Sequence, residues 1–367
     1  MMKQVNRNVL AILLFECLLG TGTAEWIPSW TEELHSAVWA LFTLYVLLMF
    51  GVGLLMIRLM QSMPKEFAGC TMFDYFFGQK VGAVLNVSLI GTLLTYTGKS
   101  LLLGVSLIHY AALPYTPTVA LVLLSLFVSV QLLSAGFEAM LRFQIVLFWP
   151  AFILATILLL ISFRTSDFSN LLPAVPTTWK PVVHSAPRVM QLLPGLILLV
   201  VYLPIFKKFG MSADNSNRSF VYASIGIVLL HALNLLAVLA VLGPFEASSL
   251  QWPVLEMIRI QKLTGPFLER LDLIFLLPVL ISVVSAVNLY AYGAYYVLSH
   301  YTKPYQRQAL IFIFTTVLLL TTLPSNSERF NDVYGVIVTA FELMFFSLMP
   351  FMWLRSYMRV RERRIAK

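Results

Sequence analysis

The chemistry this chain can offer lies in polar residues set inside apolar runs. Ser282, Ser285, Asn288 and Tyr292 recur at spacings of three, three and four, so on a helix they share one face. Ser88, Thr92, Tyr96 and Lys99 form a second such row, while Glu16 and Glu342 stand alone in apolar stretches. Hydroxyl and amide groups in such a row either meet a small polar ligand or bind a neighbouring helix. A carboxyl group at that depth marks a proton site or a structural pair. A lysine there costs roughly 2.5–3.5 kcal/mol near the bilayer centre. Lys99 therefore requires a partner or an aqueous cavity, unless it snorkels to the interface. By depth its nearest acid is Glu25 rather than Glu16. In that pairing the ammonium stands in for a coupling cation and props the first helix against the third.

The first apolar segment, Val9 to Ile27, is long enough to cross a bilayer yet carries Gly20-Thr21-Gly22-Thr23 midway. Backbone polar groups have no water partner in hydrocarbon, so a helix is broken there only where it lines an enclosed cavity. The N–H groups opening the following half-helix favour a carboxylate, and freed carbonyls beside them take an ammonium. A zwitterionic amino acid meets both demands, with its side chain in an apolar pocket. A sugar would use the same donors less strongly. Close helix packing through Gly20 and Gly22 is the other use of such residues.

Other chemistry is unsupported. His35, His109, His184, His231 and His300 are scattered without paired ligand spacing, and Cys17 and Cys70 have neither metal-ligand nor disulfide spacing. No metal, no cofactor and no enzyme motif is predicted. His231, inside the seventh apolar run, is predicted to be a hydrogen-bonded packing residue rather than a proton carrier.

The elements that hold these groups are membrane helices. Of the 367 residues 59% are hydrophobic and 11% charged, with mean hydropathy +0.84, which excludes a soluble globular domain. At ~20 apolar residues per crossing the chain reads as ten helices: 8–28, 36–58, 82–110, 118–134, 139–163, 187–206, 219–242, 268–298, 306–323 and 333–353. With a cytoplasmic N-terminus, 17 of the 25 Lys and Arg residues fall on the inner side, six of them in the tail from Arg355 to Lys367. The positive-inside rule therefore puts both termini in the cytoplasm. The net charge of +8 is a topology signal and not a nucleic-acid footprint. A cleaved leader is the rival reading of the N-terminus, with Gly22-Thr23-Ala24 as the cleavage site, but Glu16 opposes it. Between Gly243 and Pro266, Leu255, Ile258 and Leu263 oppose Glu256, Arg259 and Lys262, the pattern of a short helix on the membrane surface.

Ten spans divide into two sets of five. The sixth contains Leu193-Pro194-Gly195 where the first contains its glycines. Paired interruptions point to an inverted-repeat transporter fold with its site near the midplane; a proline kink alone is the simpler alternative. The chain thus reads as one all-α, polytopic domain, with a first repeat over 8–163, a second over 187–353 and a basic tail over 354–367. The candidate ligand site comprises Gly20, Thr21, Gly22, Thr23, Tyr96, Pro194, Gly195, Ser282, Ser285 and Asn288, with Glu16, Lys99 and Glu342 as intramembrane charges.

Further motifs run along the chain. They are Phe67-Ala68-Gly69, Asp74-Tyr75, Gly78-Gln79-Lys80, Leu113-Pro114-Tyr115-Thr116-Pro117, Gly136 with Arg142, and Asn170-Leu171-Leu172-Pro173. The most specific is Trp252-Pro253-Val254-Leu255-Glu256 with Arg259, continuing through Phe267-Leu268-Glu269-Arg270-Leu271-Asp272. With these motifs the chain resembles, almost end to end, the B-subunit of bacterial spore germinant receptors, the spore permease branch of the amino acid-polyamine-organocation transporter superfamily. The resemblance implies a ten-helix, LeuT-like fold in the spore inner membrane, with an A-subunit and a lipoprotein C-subunit as partners. It implies a nutrient, commonly an amino acid, binding at the midplane near broken helices one and six and triggering germination. Two stretches depart from the family pattern. Ser36-Ala37-Val38-Trp39 stands where an acidic residue, Ala and Trp are usual, and Ala24-Glu25-Trp26-Ile27-Pro28 is atypical. Both fall near the inferred pocket, so the ligand itself is left open.

Two functions compete on this fold: a sensor subunit that binds without net transport, and a permease that moves amino acids with protons. A scaffold or ion conduit that binds no nutrient is the third.

Overall fold

Apolar runs with no water for their backbone must satisfy every N–H and C=O internally, and helices do this within one segment. The computed structural model describes residues 7–19, 26–64, 71–208, 213–261, 270–303, 305–322 and 328–365. Among the described residues there is no strand. The α-helices are α1 (Arg7–Leu19), α2 (Trp26–Leu34), α3 (Trp39–Ser62), α4 (Met72–Phe77), α5 (Gln79–Ala111), α6 (Thr118–Ser134) and α7 (Phe137–Ser162). They continue as α8 (Lys180–Ser185), α9 (Pro194–Lys208), α10 (Ala213–Ser249), α11 (Pro253–Arg259), α12 (Leu271–Tyr301), α13 (Gln306–Thr322) and α14 (Glu328–Ile365). Seven helical stretches are long and apolar enough to cross a membrane, and Asn8–Leu19, Thr118–Ser134 and Gln306–Thr322 are shorter apolar helices. The chain is a multi-pass membrane protein.

Eight predicted spans correspond to α3, α5, α6, α7, α10, α12, α13 and α14, with boundaries shifted by a few residues. The other two are divided. The 13 residues of α1 reach about 20 Å at 1.5 Å each, short of a ~30 Å hydrocarbon core; α2 follows from Trp26, and Gly20 to Glu25 lie outside the described residues. The sixth span opens as a 3₁₀ segment, Ala186–Leu192, and becomes α-helical only at Pro194. A proline at the first helical position needs no N–H partner, and its fixed φ suits the helix start.

α9 is the centre of the bundle, with every residue from Pro194 to Phe206 buried. A helix apolar all round belongs inside. α1 lies against it, and the crossing is backbone on backbone. A Cβ placed on Gly195 would sit 2.0 Å from the Cys17 carbonyl oxygen and 2.7 Å from Leu18 Cα. The two interrupted spans therefore touch where the sixth turns α-helical. The outer helices expose apolar faces instead, including Leu123, Leu124 and Phe127 of α6 and Trp149, Ile153 and Leu160 of α7, as lipid contact requires.

Polar clusters tie the helix ends together. On one side, Arg188 donates to Glu33 (2.7 Å) and to the Ser29 carbonyl. Trp30 Nε1 donates to the Arg188 carbonyl (3.2 Å), so α2 is clasped to the segment leading into α9. Nearby, Pro244 has no N–H to give the Ala240 carbonyl four residues back. The Asp167 N–H (2.7 Å) and the Asn170 side-chain amide (3.4 Å) approach that oxygen instead. The motif residue Asn170 thus pins the loop after α7 to the bend at Gly243. Ser36, in the atypical stretch, donates to the Pro173 carbonyl (3.0 Å) of the same loop.

The specific motif around Trp252 folds as α11, whose Val254, Leu255, Met257 and Ile258 are buried. The predicted surface helix therefore packs into the bundle instead of lying loose on the membrane. Its Arg259 bonds Glu256 (2.7 Å) and reaches the buried Asp272 (3.4 Å), which Arg270 also grips (3.0 Å). Tyr110, at the end of α5, donates to Glu256 (2.7 Å). Lys262 to Glu269 lie outside the described residues.

Around α4, Thr71 and Asp74 form a reciprocal capping box. The Asn86 amide of α5 donates to Asp74 (2.8 Å), while its carbonyl oxygen accepts from Thr71 (2.6 Å). Tyr301, at the far end of α12, is 2.7 Å from the same amide. Gly78 turns α4 into α5 with φ of +81°, a conformation that costs glycine least. The Phe67-Ala68-Gly69 motif lies outside the described residues.

Three substitutions test this architecture. Gly195→Ala is expected to lower the unfolding temperature of the detergent-solubilised protein, because backbone must move. Gly91→Ala, where a Cβ meets nothing within 4 Å, should leave it unchanged or raise stability by up to about 1 kcal/mol. Asn86→Ala should cost about 1–3 kcal/mol by removing one hydrogen-bond partner each from Asp74 and Thr71. Tryptophan-fluorescence melts of the three variants would show whether this ranking holds.

Candidate functional site

A cavity opens where α1, α7, α10 and α12 meet, with about 490 Å³ of empty space that counts the open solvent at its mouth. Helical periodicity selects its walls. Phe15, Glu16 and Leu19 lie on one face of α1, while Cys17 and Leu18 turn the other way to meet Gly195. On α12 the lining residues Phe275, Pro278, Val279 and Ser282 fall three, four and seven apart, and on α7 Phe148, Ala151, Phe152 and Ala155 do likewise, with Leu159 one turn on. α10 contributes Leu230 and Asn234, one turn apart.

The helices of two walls run antiparallel. At one end the Phe137 ring stacks 4.9 Å from Tyr292, and farther along Phe148 to Leu159 share the cavity with Ser282 to Phe275. Phe15 meets Phe148 edge-on at 5.1 Å and Phe152 at 5.8 Å. Three rings thus surround the level of Glu16.

Glu16 is 5% exposed, and among the described residues no hydrogen-bond donor reaches its carboxyl group. Asn234 is 4% exposed and its Oδ1 is buried without a hydrogen-bond partner. Ser282 has given its proton to the Pro278 carbonyl (3.1 Å). Pro278 in turn cannot donate to the Ile274 carbonyl one turn away. Acceptors therefore outnumber donors on this wall. No Lys, Arg or His lines the cavity among the described residues.

The predicted site residues separate into three places. Glu16 and Ser282 share the cavity, while Pro194 and Gly195 form the crossing behind it. Tyr96, Lys99 and Glu342 form a third group: Tyr96 donates a short hydrogen bond to Glu342, its ring stacks 5.3 Å from Tyr290, and the Lys99 charge acts on Glu342. Among the described acids, Glu342 on α14 is one on which the Lys99 charge acts; Glu25, the partner predicted from depth, lies outside the described residues, as do Gly20, Thr21, Gly22 and Thr23. Ser285 and Asn288 continue the α12 row inward and are buried. The Asn288 amide donates to the Val284 carbonyl (2.7 Å), and Asn288 Oδ1 and Ser285 Oγ lack partners.

Two polar residues escaped the sequence reading. Asn234 follows His231 by three residues, a spacing that places both on adjoining turns of α10, and that pair was the available signal. Gln144, 1% exposed with neither side-chain atom bonded, falls on α7 at the level of Ser285. His231 itself is 3.2 Å from the Tyr45 hydroxyl and packs on Trp26 and Tyr45. Among the described residues no group of three His, Cys, Asp or Glu side chains is arranged to hold a metal.

Known proteins share this sequence and this fold. Spore germination protein A2 of Bacillus subtilis (strain 168) is 22% identical over 292 residues, covering 76% of this chain and 77% of that protein. Spore germination protein KB of the same organism is 27% identical over 241 residues, 64% of each chain. Among solved structures, the complex of MhsT with L-phenylalanine superposes with a TM-score of 0.71 at 11% identity, over 96% of this chain and 88% of that one. That likeness establishes a LeuT-like helical fold. The family model described as spore germination protein, the spore permease family, matches residues 4–330; the chain belongs to that family.

Proposed function

We propose that this chain is the nutrient-sensing B-subunit of a spore germinant receptor, seated in the spore inner membrane with both termini in the cytoplasm. Its partners are a receptor A-subunit and a lipoprotein C-subunit. Its ligand is a small germinant, an amino acid above all, held near mid-membrane.

The observation that carries this reading is the cavity beside Glu16. Two of its walls, α1 and α7, come from the first five spans and two, α10 and α12, from the second five. A ligand that bridges both sets favours one packing of the halves over another by as much as its affinities for the two differ. That is what a sensor needs, with no net movement of the ligand. Two further points support it: the chain belongs to a spore germination family, and a protein of the same fold forms a complex with L-phenylalanine. Gly20, Thr21, Gly22 and Thr23, which the sequence reading offers to a ligand carboxylate, follow the cavity-lining Leu19 directly in the chain.

A proton-coupled permease is the second reading, favoured by the buried Glu342 with Tyr96 and Lys99 around it. A carboxyl group so enclosed can exchange a proton as its surroundings change.

Ala155→Phe fills the cavity without altering charge. In spores lacking the native B-subunit and carrying this chain, it is expected to weaken the response to an amino acid panel at least about tenfold, a loss of roughly 1.4 kcal/mol, at unchanged protein level on a blot. An unaltered response would remove the cavity as the germinant site. Uptake of radiolabelled amino acid in the same spores should be absent while the response persists. Uptake that tracks the response, and loses its pH dependence in Glu342→Gln, would establish the permease instead.

A further inference from the structure

The cavity's chemistry is lopsided, and the imbalance selects a kind of ligand. Its polar groups are the Glu16 carboxyl, Asn234 Oδ1 and the Ser282 oxygen, whose proton is committed to the Pro278 carbonyl. On the same turn as Phe275 and Pro278, the Ile274 carbonyl lacks the N–H that any residue but proline would supply at position 278. Against these acceptors the lining side chains offer the Asn234 amide and, while the Glu16 carboxyl holds its proton, that one O–H, among the described residues. The remaining surface is apolar and largely aromatic.

We infer that ligand selection at this site is made through an ammonium group: the cavity takes a small organic ammonium compound with an apolar body, and a carboxylate on that compound contributes less. This rests on the reading of the cavity as the germinant site. An ammonium carries three donors and no acceptor, so it satisfies groups that otherwise remain unpaired. It neutralises a carboxylate whose burial is costly without a counter-charge. Phe15, Phe148 and Phe152 also line the cavity and supply apolar contact for the body of such a compound. A ligand carboxylate, by contrast, meets no basic side chain among the described residues lining the cavity, and its charge opposes that of Glu16. Asn234 strengthens the case independently of Glu16, because its unpartnered oxygen is buried at the same cavity.

The test uses the full chain in lipid nanodiscs and two matched trios of probes. The first is L-leucine, 3-methylbutylamine and 4-methylpentanoate; the second is L-phenylalanine, 2-phenylethylamine and 3-phenylpropionate. Binding is read by thermal shift and titration, and folding by gel filtration and circular dichroism. In at least one trio the amine should bind within about tenfold of the amino acid, and the deaminated acid at least about tenfold more weakly than either. Glu16→Gln should weaken the amine at least about tenfold, Glu16→Asp by less, and Ala155→Phe should abolish binding. Acids that bind as well as amines, or a folded Glu16→Gln that keeps full amine affinity, would overturn the inference while loss of binding in Ala155→Phe preserves the cavity as the site. Binding that survives Ala155→Phe would overturn the cavity reading, and the inference with it. A folded wild type that binds none of the six probes would refute both.

Discussion

The contact on which the structure depends is the one between Gly195 and the backbone of Cys17 and Leu18. Nothing larger than hydrogen fits there, so α1 and α9 approach at the distance their main chains set. That closeness draws the two divided spans into the centre and explains why α9 is buried on every side. With α9 occupying one face of α1, the opposite face, carrying Phe15, Glu16 and Leu19, is left to α7, α10 and α12. The cavity is what remains when those three helices close on a face bearing a carboxyl group and two bulky apolar side chains.

Around that centre, helix distortions are repaired locally, and the repairs connect distant parts of the chain. Pro244 withholds one N–H, and the loop after α7 supplies Asp167 and Asn170 in its place. Pro278 withholds another, beside the cavity, and Ser282 bonds the proline carbonyl one turn on. In both places a proline inside an otherwise apolar helix creates an acceptor that only another segment, or a ligand, can satisfy. The clusters around Asn86 and Asp272 do the same at helix ends, each burying polar groups that satisfy one another.

Much of this was legible in the residues. Length and hydropathy sufficed for the helices because a membrane span has to be long and apolar whatever it packs against. Pro194-Gly195 marked the sixth span's interruption through the steric demands of those two residue types. The grouping of the site was less legible. Tyr96, Ser285 and Asn288 share faces with true neighbours of the ligand row, but periodicity says which side of a helix a residue occupies and not which helix faces it. Thus Tyr96 meets Glu342 on α14, and Ser282, but not Asn288, reaches the cavity. Asn234 was passed over because its one local signal, the spacing of three from His231, reads equally well as helix packing. Depth alone suggested Glu25 for Lys99; Glu25 lies outside the described residues, and Glu342, the described acid on which the Lys99 charge acts, comes from a helix more than two hundred residues later, which no local signal encodes.

Lys207 carries a last consequence. Its ammonium, in the final turn of α9, donates to the carbonyls of Met60 (2.6 Å), Gln61 (3.2 Å) and Met63 at the end of α3. In a count of basic residues by side it ranks with those that face the cytoplasm, yet its charge is spent on the negative end of a helix dipole. A helix end carries only about half a negative charge, so the attraction of this face for anionic lipid headgroups is weaker by at most part of one lysine's share, roughly 1 kcal/mol, than the tally of its cations suggests. The adhesion of this chain to a charged leaflet is left to the other basic residues of that face and to the tail beyond Leu354.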